Sequence, residues 1–272
     1  MARQRAAASS KRGTTTRIIA VANQKGGVGK TDLTVNISCN LAALGKKVLL
    51  IDMDPQGNAT DYLVTPDTPR GKTAADVMLD ESVTVADAAI KGARENLDII
   101  PSDTDLSASQ IKLASDVNMQ FKLRRKLKPL AEQPGSYDFV VVDTPPSLGL
   151  LTVNTLTAAT HVLIPVQTHY FAMDGVVQLL ETVERVSEDL NPRLEVLGAV
   201  LTMYDKRTLI SREVEAKVRG EFEGRVFSTV IPVNVRLAEA PSYHKSIIEY
   251  DSECNGARAY NALAREILRC LD

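Results

Sequence analysis

The chain has 272 residues, 44% hydrophobic and 24% charged, with a formal net charge of −2. That is enough apolar material for one large core, and the near-neutral balance leaves any nucleic-acid contact to a local basic patch. No apolar run approaches the roughly 20 residues that span a bilayer, and no signal-peptide core is present, so a soluble cytoplasmic protein is expected.

The first 17 residues hold Arg3, Arg5, Lys11, Arg12 and Arg17, no acids, and an Ala/Ser/Thr-rich filling. This predicts a disordered basic tail over 1–16, either a solvated leader or an arm on DNA phosphates. Residues 17–272 are expected to form a single domain. Apolar runs recur at 18–22, 48–51, 97–100, 139–142, 161–166, 196–201 and 226–231. Most are continuous, as strands buried on both faces of a parallel sheet require. Helical patterns lie between them: Leu33, Ile37, Leu41 and Leu44 share one face, and Val176, Val177, Leu180, Val183 and Val186 share another. Gly45 is placed to end the first helix. The alternation predicts an α/β fold, a doubly wound, mostly parallel sheet with helices on both faces, of the P-loop NTPase type. The turn-rich stretch Thr65–Arg94 reads as an elaboration on it.

Directly after the first run comes Gln24-Lys25-Gly26-Gly27-Val28-Gly29-Lys30-Thr31. Strand, glycine-rich turn and helix in that order make a phosphate-binding loop, whose N–H groups and helix dipole suit a polyphosphate. Lys30 is expected on the β/γ-phosphates of ATP and Thr31 on Mg²⁺. Gln24 replaces the first glycine of the usual pattern, and Lys25 adds a second cation at the loop's mouth, placed to serve a neighbouring subunit's nucleotide. Asp143, after Val140-Val141-Val142, is the expected acid for the metal. Asp52 and Asp54, two apart at another strand end, share a direction. Asp52 is expected near Thr31 and the metal shell. The cysteines Cys39, Cys254 and Cys270 have no metal-ligand spacing and read as incidental thiols.

The loop resembles the deviant Walker A motif of the ParA/MinD superfamily of P-loop ATPases. Val48-Leu49-Leu50-Ile51-Asp52-Met53-Asp54-Pro55-Gln56-Gly57-Asn58, Phe139-Val140-Val141-Val142-Asp143-Thr144-Pro145-Pro146, Ile164-Pro165-Val166-Gln167 and the block Ile231–Ser242 resemble its later motifs, in order, from about residue 17 to the C-terminus. They are most similar to the small Soj-like ParA proteins. The resemblance implies a slow, partner-stimulated ATPase for chromosome or plasmid partition. Two subunits would sandwich ATP and Mg²⁺ between residues Lys25, Gly26, Gly27, Val28, Gly29, Lys30, Thr31 and Asp32, with Lys25 reaching across the homodimer. Asp54 would position the attacking water, and Pro232 and Asn234 would face the adenine. It also implies non-specific double-stranded DNA binding on the nucleoid through Lys206, Arg207 and Arg236, and release by a ParB-like centromere-binding protein.

Three departures matter. Val233 stands where the family has an arginine, which would shift the patch towards Lys245, Arg258 or the tail. His169 replaces an acid usual after Val-Gln-Thr. Asp32 replaces a second Thr or Ser beside the phosphates, which leaves a nucleotide-impaired scaffold open as an alternative. A MinD-like membrane-positioning ATPase is the other alternative, but the final helical segment reads as packing on the domain rather than as an added basic anchor, so no membrane contact is expected. The nitrogenase iron-protein branch fails on cysteine position.

Overall fold

Six of the seven apolar runs become strands of one sheet. The computed structural model describes residues 16–271 apart from 70, 115, 134, 170, 171 and 223; the basic tail expected at 1–16 lies, but for Thr16, outside them. The strands are β1 (Arg17–Val21), β2 (Val48–Asp52), β3 (Ile90–Arg94), β4 (Leu97–Ile100), β5 (Phe139–Asp143), β6 (His161–Gln167) and β7 (Glu195–Thr202), in the sheet order β3-β4-β2-β5-β1-β6-β7. All neighbours run parallel except β3 and β4. Strands β2 and β5 are buried at every position, which is why their sequences do not alternate.

In chain order the helices are α1 (Lys30–Ala43), α2 (Asn58–Leu63), α3 (Ala74–Leu79), α4 (Val85–Ala88), α5 (Asp105–Ala114), α6 (Lys122–Glu132), α7 (Leu150–Ala158), α8 (Ala172–Asp189), α9 (Leu209–Glu221), α10 (Val235–Glu239), α11 (Ile247–Tyr250) and α12 (Asn255–Leu271). One face of the sheet packs residues of α1, α2 and α12 into a core with Leu33, Ile37, Leu41, Tyr260, Leu263 and Ile267. The opposite face packs residues of α3, α6, α7 and α8.

Helix α1 is buried along most of its length although it carries Thr34, Asn36, Ser38 and Asn40. Each of these donates to the carbonyl four residues back, at 2.9, 2.9, 2.7 and 2.8 Å, so the polar groups are satisfied within the helix itself. Gly45 (φ 81°) follows its C-terminus as expected.

The chain passes from β1 through α1 to β2, yet β5 lies between those two strands, while β6 flanks β1 on the other side. Winding therefore reverses at β1, and a crevice opens at the carboxyl ends of β1, β5 and β2. That is where the loop and the acids lie.

Two expectations are corrected. Residues 226–231 are not a full strand: only Ala199↔Val226 and Tyr204↔Pro232 form bridges beside β7. The Glu266 carboxylate takes the Ser228 and Thr229 N–H groups at 2.7 and 3.1 Å, drawing that backbone away from the ladder. Conversely β3, within the presumed elaboration, pairs antiparallel with β4 across a turn at Asn96 (φ 61°). It is half-exposed and lacks an apolar run.

Gly198 in β7 has φ 152°, and a Cβ there would lie 2.8 Å from the Arg225 carbonyl oxygen and 2.9 Å from the Phe227 ring. Both neighbours are held by the Ala199 bonds, so neither yields cheaply. Gly198→Ala is expected to cost about 1–3 kcal/mol, at about 2–4 °C in Tm per kcal/mol. Thermal unfolding checks this; an unchanged midpoint would mean the 225–227 segment relaxes.

Candidate functional site

The loop between β1 and α1 is a cradle held from three sides. Gly27 and Gly29 have φ of 73° and 84°, the left-handed region that glycine enters without strain. Thr202 on β7 donates to the Val28 carbonyl at 2.8 Å, and Asn23 accepts the Lys25 N–H at 3.0 Å while donating to the Pro165 carbonyl at 2.7 Å. Above the cradle is a cavity of about 510 Å³ lined by loop residues, Asp32, Asp54, Tyr62, Met203, Pro241 and His244 among others.

The two loop lysines are placed differently. Lys30 is buried, and its Nζ donates to the Lys25 carbonyl at 3.1 Å, so the cation sits inside its own loop. Burial pulls the Lys30 pKa below its ordinary value, opposed by the charges of Asp143 and Asp54. Lys25 is half-buried, and its Nζ has no hydrogen-bond or ion-pair partner among the described residues.

Asp143 ends β5 fully buried, taking Thr31 Oγ1 at 2.8 Å and Thr34 Oγ1 at 3.0 Å on its two oxygens. Burial first, then the neighbouring Asp52, pushes its pKa up. Asp52 lies beside Asp143 across the β2–β5 pair, near the expected metal shell, with its oxygens already engaged by protein donors. Its Oδ1 accepts the Asp54 N–H at 3.1 Å, and its Oδ2 accepts both the N–H and the hydroxyl of Thr60 at 2.8 and 2.7 Å. With both oxygens engaged, Asp52 braces the loop that carries Asp54. Among the described residues, the acid hydrogen-bonded to Thr31 is Asp143. Asp54 lines the cavity; its Oδ1 takes the Gln56 N–H at 3.0 Å, and its Oδ2 has no partner among the described residues.

Asp32 also lines the cavity. Its Oδ1 accepts the Tyr62 hydroxyl at 3.1 Å, and burial raises its pKa to about 6 despite that bond. The carboxyl therefore faces the space where phosphates would lie, ionised above about pH 6 and neutral below.

Pro232 and Asn234 are not among the lining residues; Asn234 Oδ1 caps α10 by accepting the Arg236 N–H at 2.8 Å. Met203, Pro241 and His244, which the sequence motifs did not single out, are among the cavity's lining residues. The basic residues share a region, since Tyr204 takes Ile231 and Val233 into backbone bonds that bring the 204–207 and 232–236 loops together. Within it, Arg207 forms a two-bond pair with Asp205 at 3.0 and 2.8 Å, and Arg236 pairs with Glu239 at 2.9 Å and Asp251 at 3.6 Å. Lys206 is exposed and has no ion pair among the described residues. His169 is exposed, its N–H on the Gln167 carbonyl.

The donor set fits a magnesium nucleotide. Two hydroxyls and one carboxylate meet beside a phosphate-sized cradle, whereas no group of three or more His, Cys, Asp or Glu lies together among the described residues. Hard oxygen donors that leave most of the coordination to phosphate and water are what Mg²⁺ takes.

A family model for an AAA domain matches residues 16–196. The chain is 48% identical to the chromosome partitioning protein ParA of Caulobacter vibrioides, over 93% of this chain and 94% of that protein. It is 45% identical to the sporulation initiation inhibitor protein Soj of Bacillus subtilis, over 92% and 98%. Among solved structures it is similar to a cobyrinic acid a,c-diamide synthase from Mycobacterium smegmatis with bound ATP analogue and magnesium, at a TM-score of 0.80, 36% identity and coverage of 93% and 95%. A family model across two thirds of the chain, partition proteins alike over nearly all of it, and a two-lysine loop on a seven-stranded sheet agree: the chain belongs to the ParA/Soj family, within the ParA/MinD superfamily of deviant Walker A P-loop ATPases.

Proposed function

We propose that this chain is a partition ATPase whose two lysines divide the work of one nucleotide site. Lys30 holds the phosphates of its own ATP, Thr31 and Asp143 hold Mg²⁺, and Lys25 reaches the nucleotide of a second copy. The observation that carries this reading is the unequal placement of the lysines, one turned into the loop and one without a partner at its mouth. Mg²⁺, when bound, neutralises phosphate charge. Asp54, with one carboxylate oxygen unengaged over the cavity, orients water towards the γ-phosphate, and the Asp52–Thr60 bonds hold the Asp54 backbone while it does so. ATP thus stabilises a homodimer through charge-assisted contacts that ADP lacks.

The dimer binds double-stranded DNA without regard to sequence, on the nucleoid, and a ParB-like centromere-binding protein stimulates hydrolysis and release. The cargo is a chromosome or plasmid. Support for DNA over a membrane comes from α12, whose Tyr260, Leu263 and Ile267 are buried, so its apolar face packs on the protein and cannot also enter a bilayer. No helix among the described residues is long and apolar enough to cross a membrane. Lys206 is the residue best placed to meet DNA phosphates; Arg207 and Arg236 would have to leave acidic partners.

Binding to non-specific duplex DNA and to anionic vesicles, each with ATP and with ADP, tests this. The expected result is DNA binding with ATP only, falling steeply with salt. Vesicle binding without DNA binding would transfer the protein to the membrane-positioning class.

The Asp32 carboxylate sets a further expectation. One carboxylate at about 5 Å from a phosphate charge repels by about 3 kcal/mol at an effective dielectric near 20. Mg²⁺ and the lysines offset part of that. Asp32→Thr should therefore raise ATP affinity by about tenfold or more at pH 7.5. The gap should close as pH falls through about 6, where the wild-type carboxyl takes up a proton and its repulsion vanishes. Labelled-ATP titration of both forms decides it, and equal affinities at pH 7.5 would show the Tyr62 bond already directs the charge away.

A further inference from the structure

Helix α8 was expected to bury Val176, Val177, Leu180, Val183 and Val186, but Val177 is 50% exposed. It stands over a groove of about 780 Å³ between α8 and β7, the edge strand of the sheet. The floor is apolar, with Leu180 and Val196 beside Val177. The rim is acidic: Glu181, Glu184, Glu188 and Glu195 line it, against a single cation, Arg225. The whole chain has a net charge of only −2, so this side of the molecule concentrates negative charge over exposed apolar surface.

We propose that the groove docks the chain's own residues 1–15. Charge complementarity is the first argument. That segment holds Arg3, Arg5, Lys11 and Arg12, no acid, and between its two pairs of cations the small apolar run Ala6-Ala7-Ala8, which suits a shallow apolar floor.

Reach is the second. The segment joins the fold at Thr16, next to β1, and Ile19 of β1 pairs with His161 of β6, which pairs with Glu195 of β7. Neighbouring strands lie about 4.8 Å apart, so Glu195 is about 10 Å across the sheet from Ile19. Fifteen extended residues reach up to about 50 Å. Lys11 and Arg12 therefore come to Glu195 and Glu188 first. Arg3 and Arg5 then meet Glu184 and Glu181, which lie one and two helical turns further along α8.

Exposed ion pairs are individually weak. A short tether, however, supplies an effective concentration on the order of millimolar, so even millimolar-range docking is substantially populated. Docked, the segment covers the apolar floor and withholds four cations from any polyanion.

The test uses the full chain with a photoreactive benzophenone side chain in place of Ala7. Irradiation followed by peptide mapping should place cross-links in the 177–196 region of the same polypeptide. Yield should fall at least about fivefold in Glu181→Lys/Glu184→Lys and in about 0.5 M salt, where screening extends to only a few ångströms. Adding Arg3→Glu/Arg5→Glu to the lysine pair should restore it, a rescue that damaged folding could not give. Both glutamates are exposed, so the thermal midpoint should hold. Cross-links scattered over other faces, groove cross-links indifferent to charge reversal, or cross-links formed only between two chains would each overturn the proposal.

Discussion

Lys30→Ala is expected to abolish ATP binding at working concentrations, whereas Lys25→Ala keeps it and loses only the dimer. The Lys30 cation is buried between Asp143 and Asp54 and bonded to its own loop. Removing it takes the principal cation from the phosphates and leaves two buried acids without their counter-charge, a change of about 3 kcal/mol or more. That corresponds to more than about a hundredfold in affinity. The Lys25 Nζ has no hydrogen-bond or ion-pair partner in its own subunit among the described residues, so its alanine variant should bind labelled ATP within about threefold of wild type while remaining a single chain in light scattering. Equal loss of nucleotide affinity in both variants would contradict the division of labour.

Asp54→Ala is expected to bind ATP and dimerise yet hydrolyse at least about a hundredfold more slowly, the usual scale for losing a positioned acid or base. The expectation rests on geometry: Asp54 lines the cavity with one oxygen unengaged, while Asp52 is fully bonded and Asp143 is committed to Thr31 and Thr34. The variant should also persist on DNA with ATP. Phosphate release under saturating ATP, with and without the proposed ParB-like partner, measures the effect. Wild-type turnover would remove Asp54 from the mechanism and direct attention to other groups over the cavity.

The parts of this site that were legible in the sequence are those carried by local pattern. Continuous apolar runs marked the central strands; Asp143 follows one directly, Asp54 lies just past another, and Lys30 and Thr31 open α1 after the glycine-rich loop, so their placement came with the local pattern. The bracing hydroxyls were not legible. Thr202 meets Val28 across 174 positions and Thr34 meets Asp143 across 109, and no local spacing announces a contact of that range. Thr60, only eight residues beyond Asp52, was nearer to view. Its bond gives Asp52 Oδ2 a bracing use that the strand-end position alone does not announce. Strand β3 escaped because an edge strand with one half-covered face needs no apolar run, and 226–231 misled because its apolar side chains pack while its backbone bonds to Glu266. Val177 shows the limit of helical periodicity: it identifies a face to within one residue, and that residue lies outside the core.

The central claim, that nucleotide state sets assembly through a loop with one lysine bonded within it and one unpartnered, meets its most direct test in solution mass. Light scattering of the unmodified chain should give the mass of two chains with Mg²⁺ and a non-hydrolysable ATP analogue, and of one chain with Mg²⁺ and ADP. The same mass in both states would contradict it.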